Sequence, residues 1–191
     1  EEGKVFEVRN NKIGTFIAPT ERVTAFKKVK AGFTPALPKI PFKMWSEVIS
    51  FFKSFVNEDG EVEALAYIYW SFEKERYYVV TPKQTVTKDS VDSFLPDVDE
   101  NELLLVAEMH SHNTMPAFFS FIDDKDEKAT RVYIVVGRMD KIFPDIKARI
   151  SCGGKFVKIN PAVIMEGYDG EYPEEWREHI ENRLKKKEAY L

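Results

Sequence analysis

Two short, predominantly apolar runs constrain this chain most. Residues 103–107 (LLLVA) lead straight into His110-Ser111-His112, and residues 131–136 (RVYIVV) stop at Gly137. A strand that is apolar at every position has no face left for water, so it belongs inside a sheet covered on both sides. The polar stretch between the runs is long enough for a loop and a short helix, predicted from about Phe121 to Thr130. A second helix is predicted over 42–57 (FKMWSEVISFFKSFVN), where Trp45, Val48, Ile49, Phe52 and Val56 recur at helical spacing; Asn57 to Gly60 would end it. Strands are expected at 61–70 and 76–81, and hairpins at 5–18 around Asn10-Asn11 and at 146–159 across Gly153-Gly154. Residues 19–41, interrupted by four prolines, read as irregular, 84–101 as a polar loop, and 172–189 as a charged C-terminal helix. Strands and helices mixed around one sheet give an α/β or α+β sandwich.

The 191 residues are enough for one domain with a substantial core. Counts of 28 Lys plus Arg and 32 Asp plus Glu give a net charge of −4, which argues against a nucleic-acid surface. The one basic run, Lys185-Lys186-Lys187, lies in a mixed-charge tail, and His179 reads as a surface residue beside it. The single cysteine, Cys152, excludes an intrachain disulfide and fits a reducing, cytoplasmic setting. No apolar run approaches a membrane span and no signal peptide is visible.

The chemistry concentrates in residues 108–124 (EMHSHNTMPAFFSFIDD). His110 and His112, two apart at a strand end, present their imidazoles to one side. Asp123, 11 residues after His112, can fold back as a third ligand. Two His and one carboxylate leave the fourth position of a tetrahedral zinc open for water, the pattern of catalytic zinc. Ser120-x-x-Asp123 also reads as a helix capping box. Glu108, two residues before His110, reads as a strand-end carboxylate. Asp124, Asp126 and Glu127 read as acidic residues favoured by a helix dipole.

The spacing His110-Ser111-His112, seven residues, Ser120, two residues, Asp123 resembles the JAMM motif of the MPN-domain (Mov34/MPN/PAD-1) metalloproteases, His-[Ser/Thr]-His-x7-Ser-x2-Asp, at every fixed position. Asn113 stands where a proline is common, Glu108-Met109 where Gly-Trp is common, and Ala66 and Trp70 where glycines are common. These departures set the chain apart from eukaryotic deubiquitinases and nearer to prokaryotic JAB-like proteins. The resemblance implies a cytidine-deaminase-like α/β sandwich with a central mixed β-sheet flanked by helices. It implies one domain over 1–191, with the motif-bearing core at about 40–165, an N-terminal hairpin extension at 1–35 and the C-terminal helix at 172–189. It further implies one Zn2+ on His110, His112 and Asp123, Ser120 as oxyanion donor, and an upstream glutamate as general base. Glu63 fits that last place best, with Glu61, two residues earlier, as the rival. The implied reaction is hydrolysis of a peptide or isopeptide bond at the C-terminus of a ubiquitin-like or sulfur-carrier-like β-grasp protein. A catalytically silent scaffold in a larger complex is the alternative. No residue selects an oligomeric state.

Overall fold

A computed structural model describes residues 4–20, 29–56, 60–167, 173–178 and 180. The N-terminal hairpin pairs β1 (Val5–Asn10) with β2 (Gly14–Thr20). Its turn is closed by Asn11, whose Oδ1 accepts the N–H groups of Ile13 and Gly14 at 2.9 and 3.1 Å. The proline-rich segment expected to be irregular contains a third strand, β3 (Gly32–Pro35), on β2. Pro35 is tolerated because β3 lies at the sheet edge and Pro35 at the strand's end, where no ladder N–H is needed.

Helix α1 (Phe42–Lys53) follows the apolar period and buries Val48, Ile49 and Phe52. Pro41 offers no side-chain cap, so the Glu166 carboxylate accepts the Phe42 N–H at 2.9 Å instead. The helix ends earlier than the periodicity predicts. Ser54, Phe55 and Val56 donate to carbonyls three residues back, which tightens the chain out of the α-helix.

Strands β4 (Leu65–Ser71), β5 (Arg76–Val80), β8 (Leu103–Ser111), β9 (Arg131–Gly137), β10 (Asp145–Cys152) and β11 (Lys155–Ile159) form a six-stranded mixed sheet. The order is β11-β10-β9-β8-β4-β5, and β8–β9 is its parallel pair. The link between them holds α2 (Phe121–Asp126), shorter than the helix predicted to Thr130. The predicted strand over 61–70 starts late: residues 61–64 approach the sheet as irregular chain.

One face of the sheet packs on α1 and the three-stranded sheet, around Phe16, Phe52, Ile68, Met109, Ile134 and Ile150. On the other face Leu65, Tyr67 and Tyr69 are covered by Val91, Val98 and their neighbours. Val91 belongs to a hairpin, β6 (Gln84–Val86) and β7 (Val91–Ser93), inside the segment expected to be a polar loop. The hairpin supplies the apolar cover that a two-sided strand requires. A short helix, α3 (Glu175–Glu178), is described near the C-terminus; His179, the lysine run and most of the predicted 172–189 helix lie outside the described residues. Among the described residues, no helix is long and apolar enough to cross a membrane.

A β-bulge decides where the chemistry faces. Against β4, Ala107 pairs with Ile68 and Leu105 with Tyr69, so Val106 has no opposite number. Leu103 and Leu105 therefore pack on the hairpin side, whereas Val106, Ala107 and Met109 pack on the α1 side. The extra residue inverts the alternation. Without it His110 would point into the α1 core; with it His110 faces the hairpin.

The N-terminal sheet is tied to β11 by charge. Glu7 accepts from Arg9 Nε and from Lys155 Nζ, both at 2.8 Å. Those two cations hold its carboxyl down at about 2. A carboxyl with a lowered folded-state pKa adds stability above its unfolded value, and that stability is lost as pH falls towards the folded value. Glu7→Gln is therefore expected to lower the melting temperature at pH 7. The gap should narrow as pH drops from about 4.5 towards 2. A gap in thermal unfolding that stays constant from pH 7 to 3 would refute this.

Candidate metal centre

The centre lies where β8 ends and the chain departs for α2 before returning as β9. Such a point, at the carboxyl end of a parallel strand, opens a crevice beside the sheet. The crevice is a cleft of about 420 Å³. One wall is the β6–β7 hairpin, with Asp89 at its tip and Asp92 on β7; the other is the loop into α2 and the helix's first turn, with Phe118, Ser120 and Asp123. Glu63, Glu108, Asp126 and Glu127 also line it, and among the described residues no Lys or Arg does.

His110 and His112 are buried at the cleft floor, with their Nε2 atoms 3.2 Å apart. Asp123 Oδ1 is 3.7 Å from His110 Nε2, and the donor atoms of the three residues all lie within 4.8 Å of one another. A tetrahedral zinc with bonds of about 2.0–2.1 Å separates its ligand atoms by about 3.3–3.4 Å, so the cluster has the right size. Protonation favours it too. Burial pushes His110 down to about 4 and lowers His112, each against the opposing charge of Asp123. Neutral imidazoles with free lone pairs are what a cation needs. His112 is also held by the Phe118 ring, edge-on at 4.6 Å. Its Nδ1 makes no hydrogen bond of good geometry among the described residues, although the Pro116 backbone lies near enough to raise its pKa slightly.

Asp123 serves two groups at once. Its Oδ2 accepts the Ser120 N–H, and its own N–H donates to Ser120 Oγ at 3.2 Å. That is the expected capping box, and it leaves Oδ1 turned to His110.

Glu63 comes from the irregular lead into β4, with Oε1 3.9 Å from His112 Nε2. Burial, with Asp123 and Asp89 nearby, pushes its carboxyl up to about 8. The backbone fixes its place: Glu63 N–H donates to the Thr87 carbonyl at 2.8 Å. Next to it, Ala64 N–H donates to Ser111 Oγ, and Ser111 N–H to the Ala64 carbonyl, both at 2.9 Å. Thus the serine between the two histidines clamps the segment that carries Glu63. Glu61 is placed elsewhere, accepting from Thr114 Oγ1 at 3.0 Å through both oxygens.

Several residues that matter here carry no strong local signal. Asn113 is buried at a φ of 47°, a conformation closed to proline, which explains the departure after the second histidine. A left-handed Asn directly after the second histidine is the one sequence hint. Gly137 ends β9 against the loop: a Cβ there would sit 2.3 Å from the Met115 carbonyl oxygen and 2.4 Å from the Ala117 nitrogen. Backbone cannot swing aside, so Gly137→Ala is expected to cost about 1–3 kcal/mol. The readout is the urea midpoint at unchanged m-value. Gly32→Ala, where a Cβ meets nothing within 4 Å, is the control; equal midpoints for the two variants would contradict the argument.

Asp124 and Glu127, expected to be simple dipole-favoured acids, instead pair with Arg149 of β10. Glu108 lies 3.5 Å from Arg131, and burial raises its pKa. Cys152 is buried and accepts weakly from Arg9 and Thr130.

The family model of prokaryotic homologs of the JAB domain matches residues 47–149, from α1 into β10. The match contains Glu63, the two histidines, Ser120 and Asp123, and leaves β1–β3 and β11 outside. No curated protein matches the chain significantly.

Proposed function

Because this chain belongs to the family of prokaryotic homologs of the JAB domain, we propose that it is a zinc-dependent hydrolase of peptide or isopeptide bonds. The observation that carries this reading is the convergence of His110, His112 and Asp123 in one cleft with a buried carboxylate, Glu63, beside them. His110, His112 and Asp123 would hold the ion. Bound zinc supplies an acidified water and polarises the scissile carbonyl.

The chain's own residues do the rest. Glu63 takes a proton from the attacking water and passes it to the leaving nitrogen. Its carboxyl lies beside the cluster, with Oε1 3.9 Å from His112 Nε2, in place for both transfers. Ser120 Oγ already accepts the Asp123 N–H, so its hydroxyl hydrogen is available to donate to the oxyanion. Glu108 and the hairpin residues Asp89 and Asp92 line the cleft that the substrate would enter. The substrate we propose is the C-terminal tail of a ubiquitin-like or sulfur-carrier-like β-grasp protein, fused or conjugated through its terminal carboxyl.

The test joins zinc content by mass spectrometry with hydrolysis of a panel of ubiquitin-like fusions. About one zinc per chain, with cleavage abolished by a chelator and restored by zinc, is the expected result. Zinc without cleavage of any fusion would favour a silent scaffold. No zinc after reconstitution would overturn the reading.

A further inference from the structure

Helix α2 carries Asp123, yet its six residues bury none of their side chains. So short a helix, without an apolar face, has little to hold it in place. What fastens it to the sheet is Arg149, only 4% exposed and sandwiched between the rings of Phe119 and Phe156 at 4.0 and 4.1 Å. Its Nε donates to Glu127 Oε2 at 2.6 Å, and its Nη1 donates to the Asp124 carboxylate. Those acids stand one and four residues after Asp123, so one planar fork fixes both the rotation of the helix and its distance from β10. On the other side, β10 pairs with β9 and β9 with β8, which presents His110. The sheet is thus a rigid spacer between the histidines and the guanidinium that holds Asp124 and Glu127, in the turn that follows Asp123. Arg149 itself lines the adjoining cavity and not the cleft, so a substrate in the cleft does not touch it.

Resting on the zinc-hydrolase reading, we propose that Arg149 is a positioning residue that sets Asp123 Oδ1 against the two imidazoles. Groups bonded directly to a metal ligand typically govern metal affinity by about 10–100-fold; Arg149 reaches Asp123 through Asp124 and Glu127, so its effect belongs at the lower end of that range.

The experiment uses the full chain, stripped of metal. Zinc affinity is measured by competition with a chromophoric chelator, ligand geometry by the visible absorption of the cobalt(II) form, and folding by melting of the metal-free protein. The variants are Arg149→Lys, which keeps charge and stem but loses the planar fork, and Arg149→Met combined with Glu127→Gln, which leaves no buried carboxylate stranded. We expect zinc binding about 10-fold weaker in the double variant, the lower end of the range for direct partners of a ligand, intermediate in Arg149→Lys, with altered cobalt absorption in both. If the variants melt lower yet keep wild-type zinc affinity and cobalt spectrum, Arg149 is only structural and the inference falls. Should the double variant not fold, Arg149→Lys alone decides between these outcomes. Failure of the underlying reading shows in a different place, as wild-type protein that binds no zinc, and it removes the inference as well.

Discussion

Glu63→Gln is expected to lower turnover by about 10²–10⁴-fold while zinc stays at one per chain. The substitution keeps size and shape and removes the ability to accept a proton. It should not move the residue, because backbone bonds to Thr87 and Ser111 hold the segment, not the carboxylate. It should not release the metal, because Glu63 lies outside the donor cluster. The loss should fall on kcat, with KM little changed, as for a group acting in the transition state. Stability should move the other way. Glu63 is 5% exposed, and a buried carboxylate without a fixed partner is costly. The metal-free variant should therefore melt at the wild-type temperature or above it. Glu61→Gln is the matched control: its carboxylate is engaged with Thr114, so full activity is expected. If Glu63→Gln stayed fully active and Glu61→Gln did not, the assignment of the base would be reversed.

The separation of Glu63 from Glu61 illustrates what the sequence carried and what it did not. Two residues apart in a stretch that the sequence predicts as strand, they would share one face, and a slip of register would exchange them. The chain is irregular until Leu65, and Ser111 and Thr87, distant in sequence, pin the segment that turns Glu63 into the cleft. Local patterns were legible wherever one element alone determined them. Examples are the apolar stripe of α1, the two-sided runs of β8 and β9, and the spacing from His110 to Asp123. Features that depend on a remote partner were hidden. The bulge at Val106 is set by pairing with β4 and has no glycine to announce it. The β6–β7 hairpin looks polar because only Val91 and its neighbours face the sheet. Arg149 meets its acids across more than 20 residues, so Asp124 and Glu127 read as ordinary first-turn acids. The helix dipole favours Asp124 in the first turn of α2, whereas Glu127 is the C-cap, where the dipole disfavours a negative charge, and the buried Arg149 is its partner instead.

Asp123 allows the capping and ligand roles to be separated, because each uses a different oxygen. Asp123→Ala removes both. It should cost the helix start about 0.5–2 kcal/mol, the range for a lost capping bond, and weaken zinc binding beyond the roughly 10–100-fold typical of an outer partner. Asp123→Asn discriminates between the roles. Its amide oxygen can still accept the Ser120 N–H that Oδ2 now accepts, so α2 should keep most of its stability. The group then turned to His110 is an NH2, a donor with no lone pair for a metal, where Oδ1 lies now. Asp123→Asn should consequently melt close to wild type as metal-free protein yet bind zinc almost as poorly as Asp123→Ala. With two imidazoles left, each buried and neutral, the remaining pair has no negative charge to offset the ion's desolvation. Wild-type zinc affinity in Asp123→Asn, alongside a lower melting temperature in Asp123→Ala, would mean that the carboxylate serves the helix alone. The metal would then have to draw its third ligand from elsewhere in the cleft, with Glu63, 3.9 Å from His112, in place to supply it.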